Sequence, residues 1–225
     1  MADPMTDDRA RALEMVPVSR ETEAKLSRFV EFLLPWAEKT NLIARSTIPS
    51  IWTRHIADSL QLVPLAPEAK TWIDLGSGAG FPGLVIACAI ADRAGAMVHL
   101  VESIGKKANV LREAVKHLQL PAEVHAVRIE DFAKNFKGRA EVVTARALAP
   151  LDQLLTLAQP LLRFDALGLF PKGQDVEGEL TRAAKCWTID AELIPSQTSP
   201  EGRIVVVRGL RRQPEDTNSH VRSRR

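Results

Sequence analysis

Cysteine is scarce in this sequence. Only Cys88 and Cys186 are present, no Cys-x-x-Cys pair occurs, and neither cysteine has metal-ligand residues beside it. A disulfide scaffold and a bound metal are therefore not expected, and the composition suits a reducing compartment. Cys88 lies within the apolar stretch 84–91, where we interpret it as a small buried hydrophobic residue.

Long apolar segments are also missing. Residues 1–15 are polar and charged and lack the apolar centre of a secretory signal. The longest apolar stretch, 84–91, is too short to span a bilayer. These absences predict a cytoplasmic protein without membrane association.

The sequence has no large excess of charge of either sign, because its formal net charge is only +2. Total charge therefore gives no sign of a nucleic-acid partner, and any RNA-binding surface must be a local one. What is present is a globular composition, with 45% hydrophobic and 26% charged residues in a chain of 225. That length is enough for one domain with a short extension.

Four regions follow from the hydrophobic pattern. We expect a disordered segment over 1–18, a helical extension over 19–69, one α/β domain over 70–209 and a basic, disordered tail over 210–225.

The helical extension is predicted to contain two helices. Ser19 suits the N-cap of the first helix, and Pro35 is expected to kink or end it near its last turn. The second helix is predicted over about 50–61.

Beyond residue 70, strand-like and helix-like segments alternate. The predicted strands cover 72–75, 98–102, 123–127, 141–145, 167–170, 187–194 and 203–208, and the predicted helices cover 82–91, 106–118, 151–162 and 176–184. This alternation predicts a doubly wound, Rossmann-like α/β fold with a mainly parallel seven-stranded sheet. The last two strands have no helix between them, which predicts a C-terminal antiparallel hairpin.

A glycine-rich loop, residues 74–83, follows the first predicted strand, where an open parallel sheet binds its ligand. Dinucleotide sites use Gly-x-Gly-x-x-Gly, whereas here Gly80 comes one residue early and Phe81 occupies a position that should be small. The longer loop favours the methionine end of S-adenosylmethionine over a pyrophosphate. We expect Gly76 and Gly78 to let the ligand approach and Asp74 to meet its ammonium group.

Two further segments are placed to hold a nucleoside. Glu102 ends the second predicted strand, where a carboxylate can accept hydrogen bonds from ribose hydroxyls. Ile129 and Glu130 follow the third predicted strand, close to the expected position of an adenine ring. Neither segment distinguishes S-adenosylmethionine from a dinucleotide.

The segment after the fourth predicted strand, 144–150, lacks the Asn- or Asp-Pro-Pro-aromatic sequence of amine methyltransferases, and no cysteine is placed to attack a pyrimidine. A methyl donor without an evident base suggests a target that is already nucleophilic, such as guanine N7, for which catalysis reduces to alignment and desolvation. Arg146 and Lys172 are the candidate catalytic residues on the same rim, and each has an alternative role as a surface ion-pair partner.

Together these segments resemble a known family. The segments that carry the resemblance are 74–83, His99-Leu-Val-Glu-Ser103 with Lys106-Lys107, Thr144-Ala-Arg-Ala-Leu-Ala-Pro-Leu151, Lys172-Gly173, Asn41-Leu42 and Trp52-Thr-Arg-His-Ile-Ala-Asp-Ser59. They are similar to segments of the bacterial ribosomal RNA small subunit methyltransferase G family, also called glucose-inhibited division protein B. The resemblance runs from about Leu26 to Arg208.

The resemblance implies a class I S-adenosylmethionine-dependent methyltransferase that makes 7-methylguanosine in a conserved loop of 16S ribosomal RNA. It also implies cofactor contacts by Gly76, Phe81, Ile129, Glu130 and Arg146, with Glu102 on the ribose. The implied partner is 16S ribosomal RNA or the small ribosomal subunit, and we expect a monomer.

The upstream segment leaves two interpretations open. On a helix, His55 shares a face with Asp58 and Ser59, and Arg54 reaches Asp58. This cluster is either a surface ion pair with a satisfied histidine or part of the target-base pocket. In the second case, a basic rim for phosphates would include Arg45, Arg54, Lys106, Lys107, Arg146 and Lys172.

Three other functions compete with an RNA methyltransferase. The nearest is a class I methyltransferase acting on a protein or a small molecule, which would use the same cofactor site. A nicotinamide-dependent oxidoreductase would use the same fold, and a non-catalytic RNA-binding protein would keep the loop without turnover.

Overall fold

The computed structural model describes residues 4–40 and 42–213; Asn41 and most of the predicted tail lie outside this range. The first described element is helix α1, Pro4–Met15, so the prediction of a disordered segment over 1–18 is wrong for these residues. Ala12 and Val16 are buried, and Asp8 accepts hydrogen bonds from the backbone of Trp52 and Thr53. Helix α1 is therefore stabilised by long-range contacts, which its own polar sequence does not predict.

Helix α2, Arg20–Thr40, buries one apolar face against the core. Ser19 caps it as predicted, because its Oγ accepts a hydrogen bond from the Thr22 amide at 3.2 Å. The helix does not end at Pro35 but continues for another turn, with Pro35 exposed to solvent. A proline costs one helix hydrogen bond, and here the buried face of α2 outweighs that loss.

The second helix of the extension is broken into short pieces. A 3₁₀ turn, Arg45–Ser50, is followed by a π-helical turn, Trp52–Ala57, and by the short helix α3, Asp58–Leu60. A further 3₁₀ turn, Val63–Leu65, leads to the sheet. Single π-helical turns occur frequently at functional sites, and this one carries Arg54 and His55.

Seven strands form one sheet in the order β3-β2-β1-β4-β5-β7-β6. The strands are β1 Thr71–Leu75, β2 Met97–Val101, β3 Ala122–His125, β4 Val142–Thr144, β5 Leu167–Lys172, β6 Trp187–Pro195 and β7 Arg203–Arg212. Strands β1 to β5 pair in parallel, and β7 runs antiparallel to both β5 and β6. The predicted fold class is confirmed, including the hairpin, whose last strand extends to Arg212.

Five helices connect the strands and cover both faces of the sheet. They are α4 Gly83–Ala89, α5 Gly105–Leu118, α6 Ile129–Asn135, α7 Leu151–Ala158 and α8 Val176–Ala183. Alternating strand residues enter two separate cores: Trp72 packs with α1, α2, α4 and α5, and Ile73 packs with α6, α7 and α8. In the part of the chain that the structure describes, no helix is long and apolar enough to cross a membrane.

Candidate functional site

The glycine loop follows β1 and is fixed above the end of β2. The amides of Gly76 and Ser77 both donate to the Val101 carbonyl oxygen, at 2.8 and 3.1 Å. Gly76, Gly78 and Gly80 have φ values of +69°, +54° and +99°, a region that side chains disfavour. A Cβ on Gly78 would have only the Gly76 carbonyl oxygen within 4 Å, so the space beside this glycine is free of protein.

Asp74 lies beneath this loop at the end of β1 and is completely buried. Its Oδ2 accepts a hydrogen bond from the Gly83 amide at 3.1 Å, whereas its Oδ1 has no hydrogen-bond partner. Burial raises the pKa of Asp74 from 3.8 to about 6, although the hydrogen bond from the Gly83 amide opposes the shift. An unpaired buried carboxylate oxygen fits a site completed by a ligand's hydrogen-bond donor.

Glu102 holds the other side of the loop. Its Oε2 accepts a hydrogen bond from the Gly78 amide at 3.0 Å, and its Oε1 accepts one from the Ile104 amide at 2.8 Å. The carboxylate is almost fully buried. Each oxygen retains a lone pair for a ribose hydroxyl, so Glu102 can position both the loop and a nucleoside.

Gly83 tests whether the tight packing under the loop matters. A Cβ at this position would collide with Leu100 and would lie 2.6 Å from Asp74 Oδ2. We expect Gly83→Ala to lower the free energy of unfolding by about 1–3 kcal/mol, the usual cost of overpacking a buried site. Urea denaturation would measure the loss.

Gly105 provides the matched control for that substitution. It begins α5, and a Cβ there would meet nothing within 4 Å. Gly105→Ala should leave stability unchanged or raise it slightly. Equal stability of the two variants would show that the space around Gly83 can relax.

Arg146 connects the loop to the N-terminal extension. Its guanidinium donates to Asp58 Oδ2 at 3.2 Å, to His55 Nδ1 at 2.9 Å and to the Arg54 carbonyl oxygen at 3.1 Å. The same group lies 5.2 Å from the centre of the Phe81 ring, in a cation–π contact. The planar donor array of arginine satisfies all these partners at once, which fixes its position.

His55 lies between Arg146 and Phe81. Its ring stacks on Phe81 with 4.9 Å between ring centres and 19° between the ring planes. Burial first, and then the charges of Arg146 and Arg54, lower the pKa of His55 from 6.5 to about 4. The imidazole is therefore neutral at pH 7. Because Nδ1 accepts from Arg146, the proton lies on Nε2, which donates to Thr47 Oγ1 at 3.0 Å.

Asp58 ties the same cluster to the β6–β7 connection. Its Oδ1 accepts hydrogen bonds from Thr198 Oγ1 at 2.8 Å and from Gln61 Nε2 at 2.9 Å. Gln61 in turn accepts from the Gln197 amide at 2.8 Å. A segment some 140 residues away in sequence therefore forms a third wall of the site.

Lys172 ends β5 and is held in place by two acceptors. Its Nζ donates to the Ala149 carbonyl oxygen and lies beside Glu179 Oε2, at 2.7 Å in each case. Glu179 Oε2 also accepts from the Leu151 amide at 2.7 Å. The lysine side chain is only 11% exposed, so the predicted alternative of a surface ion pair does not describe it.

Most of these groups line one open cavity of about 1050 Å³, beside the carboxyl ends of β1 and β4, where the strand order reverses. Eight of the predicted site residues line it: Arg54, His55, Asp58, Gly76, Gly78, Phe81, Arg146 and Lys172. Arg54, predicted to reach Asp58, instead offers only its carbonyl oxygen to Arg146. Arg54, His55 and Asp58 of the upstream cluster are therefore part of the cavity wall.

Six predicted residues do not line this cavity. Asp74 and Glu102 support the loop from below, as their hydrogen bonds show, and Gly80 packs on Leu84. Ser59 is buried and donates its hydroxyl to the His55 carbonyl oxygen at 2.6 Å, so it supports the helix. Ile129 and Glu130 begin helix α6 beyond β3, away from the cavity lining.

Several functional contacts had no sequence signal. Asp8 Oδ1 accepts from Thr53 Oγ1 at 2.6 Å, and Asp8 Oδ2 binds two amides at the start of the π-helical turn. Asp8 thus caps from another helix the segment that carries His55. Thr47, Gln61, Thr198 and Glu179 were likewise missed because their partners are distant or buried.

Comparison with known proteins identifies relatives along most of the chain. The family described as rRNA small subunit methyltransferase G matches residues 22–212. A ribosomal RNA small subunit methyltransferase G from Bradyrhizobium sp. strain ORS 278 is 54% identical over 209 residues, 93% of this chain and 94% of the relative. The one from strain BTAi1 is 56% identical over 200 residues, 89% of this chain and 90% of the relative.

Solved structures of other methyltransferases share the fold. An O-methyltransferase from Bacillus cereus in complex with SAH has a TM-score of 0.62 at 16% identity, covering 91% of this chain and 100% of its own. A ribosomal protein L11 methylase from Lactobacillus delbrueckii has a TM-score of 0.52 at 15% identity, covering 68% and 77%. The family match agrees with a methyltransferase that uses S-adenosylmethionine, and this chain belongs to the rRNA small subunit methyltransferase G family.

Proposed function

We propose that this chain transfers a methyl group from S-adenosylmethionine to N7 of a guanine in 16S ribosomal RNA, within a loop of the small subunit. One observation supports this most strongly: Arg146 is fixed between the glycine loop and the upstream cluster, in a large cavity. Among the described residues that line this cavity, no side chain offers a free base or thiol. Such a site aligns two reactants without taking a proton from either.

The site has the features that the cofactor requires. S-adenosylmethionine supplies an electrophilic methyl group on a sulfonium centre. Gly76 and Gly78 both line the cavity, and the space beside Gly78 is free of protein. Asp74 Oδ1 is a buried hydrogen-bond acceptor that lacks a donor. Glu102 is held at the end of β2 by two amides, where it can accept from a ribose.

The residues around the cavity are unsuited to base or covalent catalysis. His55 is neutral, but its Nδ1 accepts from Arg146 and its Nε2 donates to Thr47, so it has no free lone pair for a proton. Asp58 is held by Arg146, Gln61 and Thr198. Guanine N7 needs no base, because its lone pair lies in the ring plane and carries no proton.

Covalent attack by cysteine is equally unsupported. Cys88 is buried, and burial raises the pKa of its thiol to about 12. Cys186 is exposed, and neither cysteine is among the cavity-lining residues. A substrate that is itself the nucleophile is the target that this set of side chains fits.

Ribosomal RNA fits the charge around the cavity mouth. Arg54, Lys107 and Arg203 line the cavity together with Arg146 and Lys172. Arg54 is exposed and Lys107 is half-buried, so both are available to phosphates. Lys106 is exposed beside them, and Arg45 lies on the same upstream segment.

Removing two of these cations should weaken RNA binding in a salt-dependent manner. We expect the double variant Arg54→Ala/Lys107→Ala to bind small-subunit RNA more weakly at low salt. The slope of log affinity against log salt should become shallower by about 2, which is about 1 for each cation that no longer meets a phosphate. Filter binding at several salt concentrations measures both quantities.

The control is Arg182→Ala/Arg208→Ala, which removes the same charge from two exposed ion pairs that do not line the cavity. This variant should keep the wild-type slope. An equal change in both double variants would attribute the binding to total charge and refute the proposed rim.

The activity itself is tested by mapping 7-methylguanosine on 16S ribosomal RNA from cells with and without this chain. Purified protein should also transfer tritiated methyl groups to small subunits or their RNA. Label only in protein or small molecules would refute the proposed substrate. Calorimetric binding of NAD(H) without binding of S-adenosylhomocysteine would refute the cofactor and favour an oxidoreductase.

A further inference from the structure

Three potential metal ligands lie close together on the edge strand β3 and its neighbour β2, away from the cavity. His99 lies on β2, and Glu123 and His125 lie on β3. His99 pairs with Glu123 in the parallel ladder, and His125 follows two residues later on the same face. None of the three lines the methyltransferase cavity.

The ligand atoms form a compact triangle. His99 Nδ1 lies 3.1 Å from His125 Nε2, and Glu123 Oε2 lies 3.7 Å from the first nitrogen and 3.8 Å from the second. A tetrahedral zinc ion with bonds of about 2.0–2.1 Å separates its ligands by about 3.3 Å. The side chains therefore need to move by only a few tenths of an ångström to share one ion.

Aromatic packing fixes both imidazoles in this arrangement. The His125 ring is 4.7 Å from Phe132, and the His99 ring is 5.1 Å from Phe136, between ring centres. Metal binding requires the neutral form of both imidazoles, so an ion displaces the proton that the two rings share in their 3.1 Å hydrogen bond. The outer side is open, because the Glu123 side chain is 61% exposed.

We propose that His99, Glu123 and His125 bind one divalent transition-metal ion, with zinc as the best-suited probe. Two imidazoles and one carboxylate favour zinc, copper, nickel or cobalt over magnesium and calcium. Water completes the coordination on the exposed side. The bound ion joins the edge strand β3 to β2, next to the point where the Glu102 amide donates to the His125 carbonyl oxygen.

This metal site could not be predicted from the sequence, because 26 residues separate the two histidines and a lone Glu-x-His pair is common. In the part of the chain that the structure describes, no other group of three histidine, cysteine, aspartate or glutamate side chains has this geometry. The assignment therefore rests on the fold.

Calorimetric titration of untagged, chelator-treated full-length protein with Zn²⁺ tests the proposal. We expect one ion per chain. Glu123→Gln and His125→Ala should each weaken binding at least about 10-fold, since even loss of a group that only supports a metal ligand has that effect. Glu123 is mostly exposed, so its variant keeps the fold, which circular dichroism would verify.

His117→Ala is the control, because His117 is exposed and stacks on Phe32 outside the triangle. It should bind Zn²⁺ as the wild type does. Co²⁺ substitution adds a spectroscopic measurement: a tetrahedral spectrum without thiolate charge transfer is expected. No saturable binding by the wild type, unchanged affinity in both triangle variants, or a thiolate band from Cys186 would each overturn the proposal.

Discussion

Replacing Arg146 with alanine is expected to lower the rate of methyl transfer by about 100-fold, the scale on which a misplaced reactant slows an enzyme. The guanidinium is the common donor to Asp58, His55 and the Arg54 carbonyl oxygen, and it also covers Phe81. Its removal breaks these hydrogen bonds and leaves the His55–Phe81 stack as a remaining contact between the upstream cluster and the glycine loop. The two reactants then lose the wall that aligns them.

Arg146→Lys should recover little of that activity. One ammonium group cannot reproduce a planar array that reaches three acceptors and stacks on a ring. If lysine restored the rate fully, positive charge alone would be the requirement. Steady-state kinetics with small-subunit RNA would show the loss mainly in kcat, because alignment acts on the transition state.

Arg208→Ala is the matched control, since Arg208 forms an exposed ion pair with Glu192 on the hairpin. Such a pair contributes about 0–1 kcal/mol to stability and lies outside the cavity lining. This variant should retain wild-type activity. Nearly normal turnover by Arg146→Ala would refute the proposed role of Arg146 in aligning the reactants.

Much of the architecture was accessible from the sequence because it depends on local patterns. Alternating buried strands, the glycine loop and the proline-punctuated hairpin each have a short-range signature. Asp74, Glu102 and Arg146 could be predicted as site residues because each lies at or just beyond the end of a strand, and parallel strands bring their carboxyl ends together. These predictions depended on the position of each residue at the end of a predicted strand.

What could not be predicted depends on long-range contacts. Helix α1 has a weakly apolar sequence, and its order comes from packing and from Asp8 capping a segment 44 residues away. The Asp58–Thr198 bond joins residues 140 apart, and no local pattern encodes such a pair. Ser59 shares a helix face with His55, yet its hydroxyl returns to the helix backbone.

Asp74 gives the second large effect, through the pH dependence of stability. Its pKa is 3.8 in the unfolded chain and about 6 in the folded protein, because burial disfavours the charge. The folded protein therefore holds a proton that the unfolded chain has released. The resulting stabilisation is complete below pH 3.8 and is lost as pH rises through 6. The difference between these pKa values corresponds to about 3 kcal/mol.

Asp74→Asn replaces the titratable carboxyl group with a neutral amide and therefore removes this pH dependence of stability. We expect the stability of the variant relative to the wild type to rise by up to about 3 kcal/mol between pH 4 and pH 8, in urea denaturation at several pH values. His55 acts in the opposite direction: its lowered pKa gives stability that is present above pH 6.5 and lost as pH falls toward 4. Both proteins contain His55, so its contribution cancels in the comparison.

Asp74→Asn should weaken S-adenosylmethionine binding, although it raises the stability of the fold relative to the wild type at high pH. Ionised Asp74 offers Oδ1 to the ammonium group of the ligand, directly or through water, and asparagine removes that charge. A charge-assisted hydrogen bond contributes about 1.5–3 kcal/mol, so calorimetry should show affinity about 10- to 100-fold lower at pH 8. Wild-type affinity should rise as pH passes 6, and the variant should lack this rise. If Asp74→Asn bound S-adenosylmethionine as tightly as the wild type, Asp74 would not contact the ligand, and its role would be limited to the hydrogen bond with the Gly83 amide. The expected combination is a buried charge that opposes folding and serves the ligand.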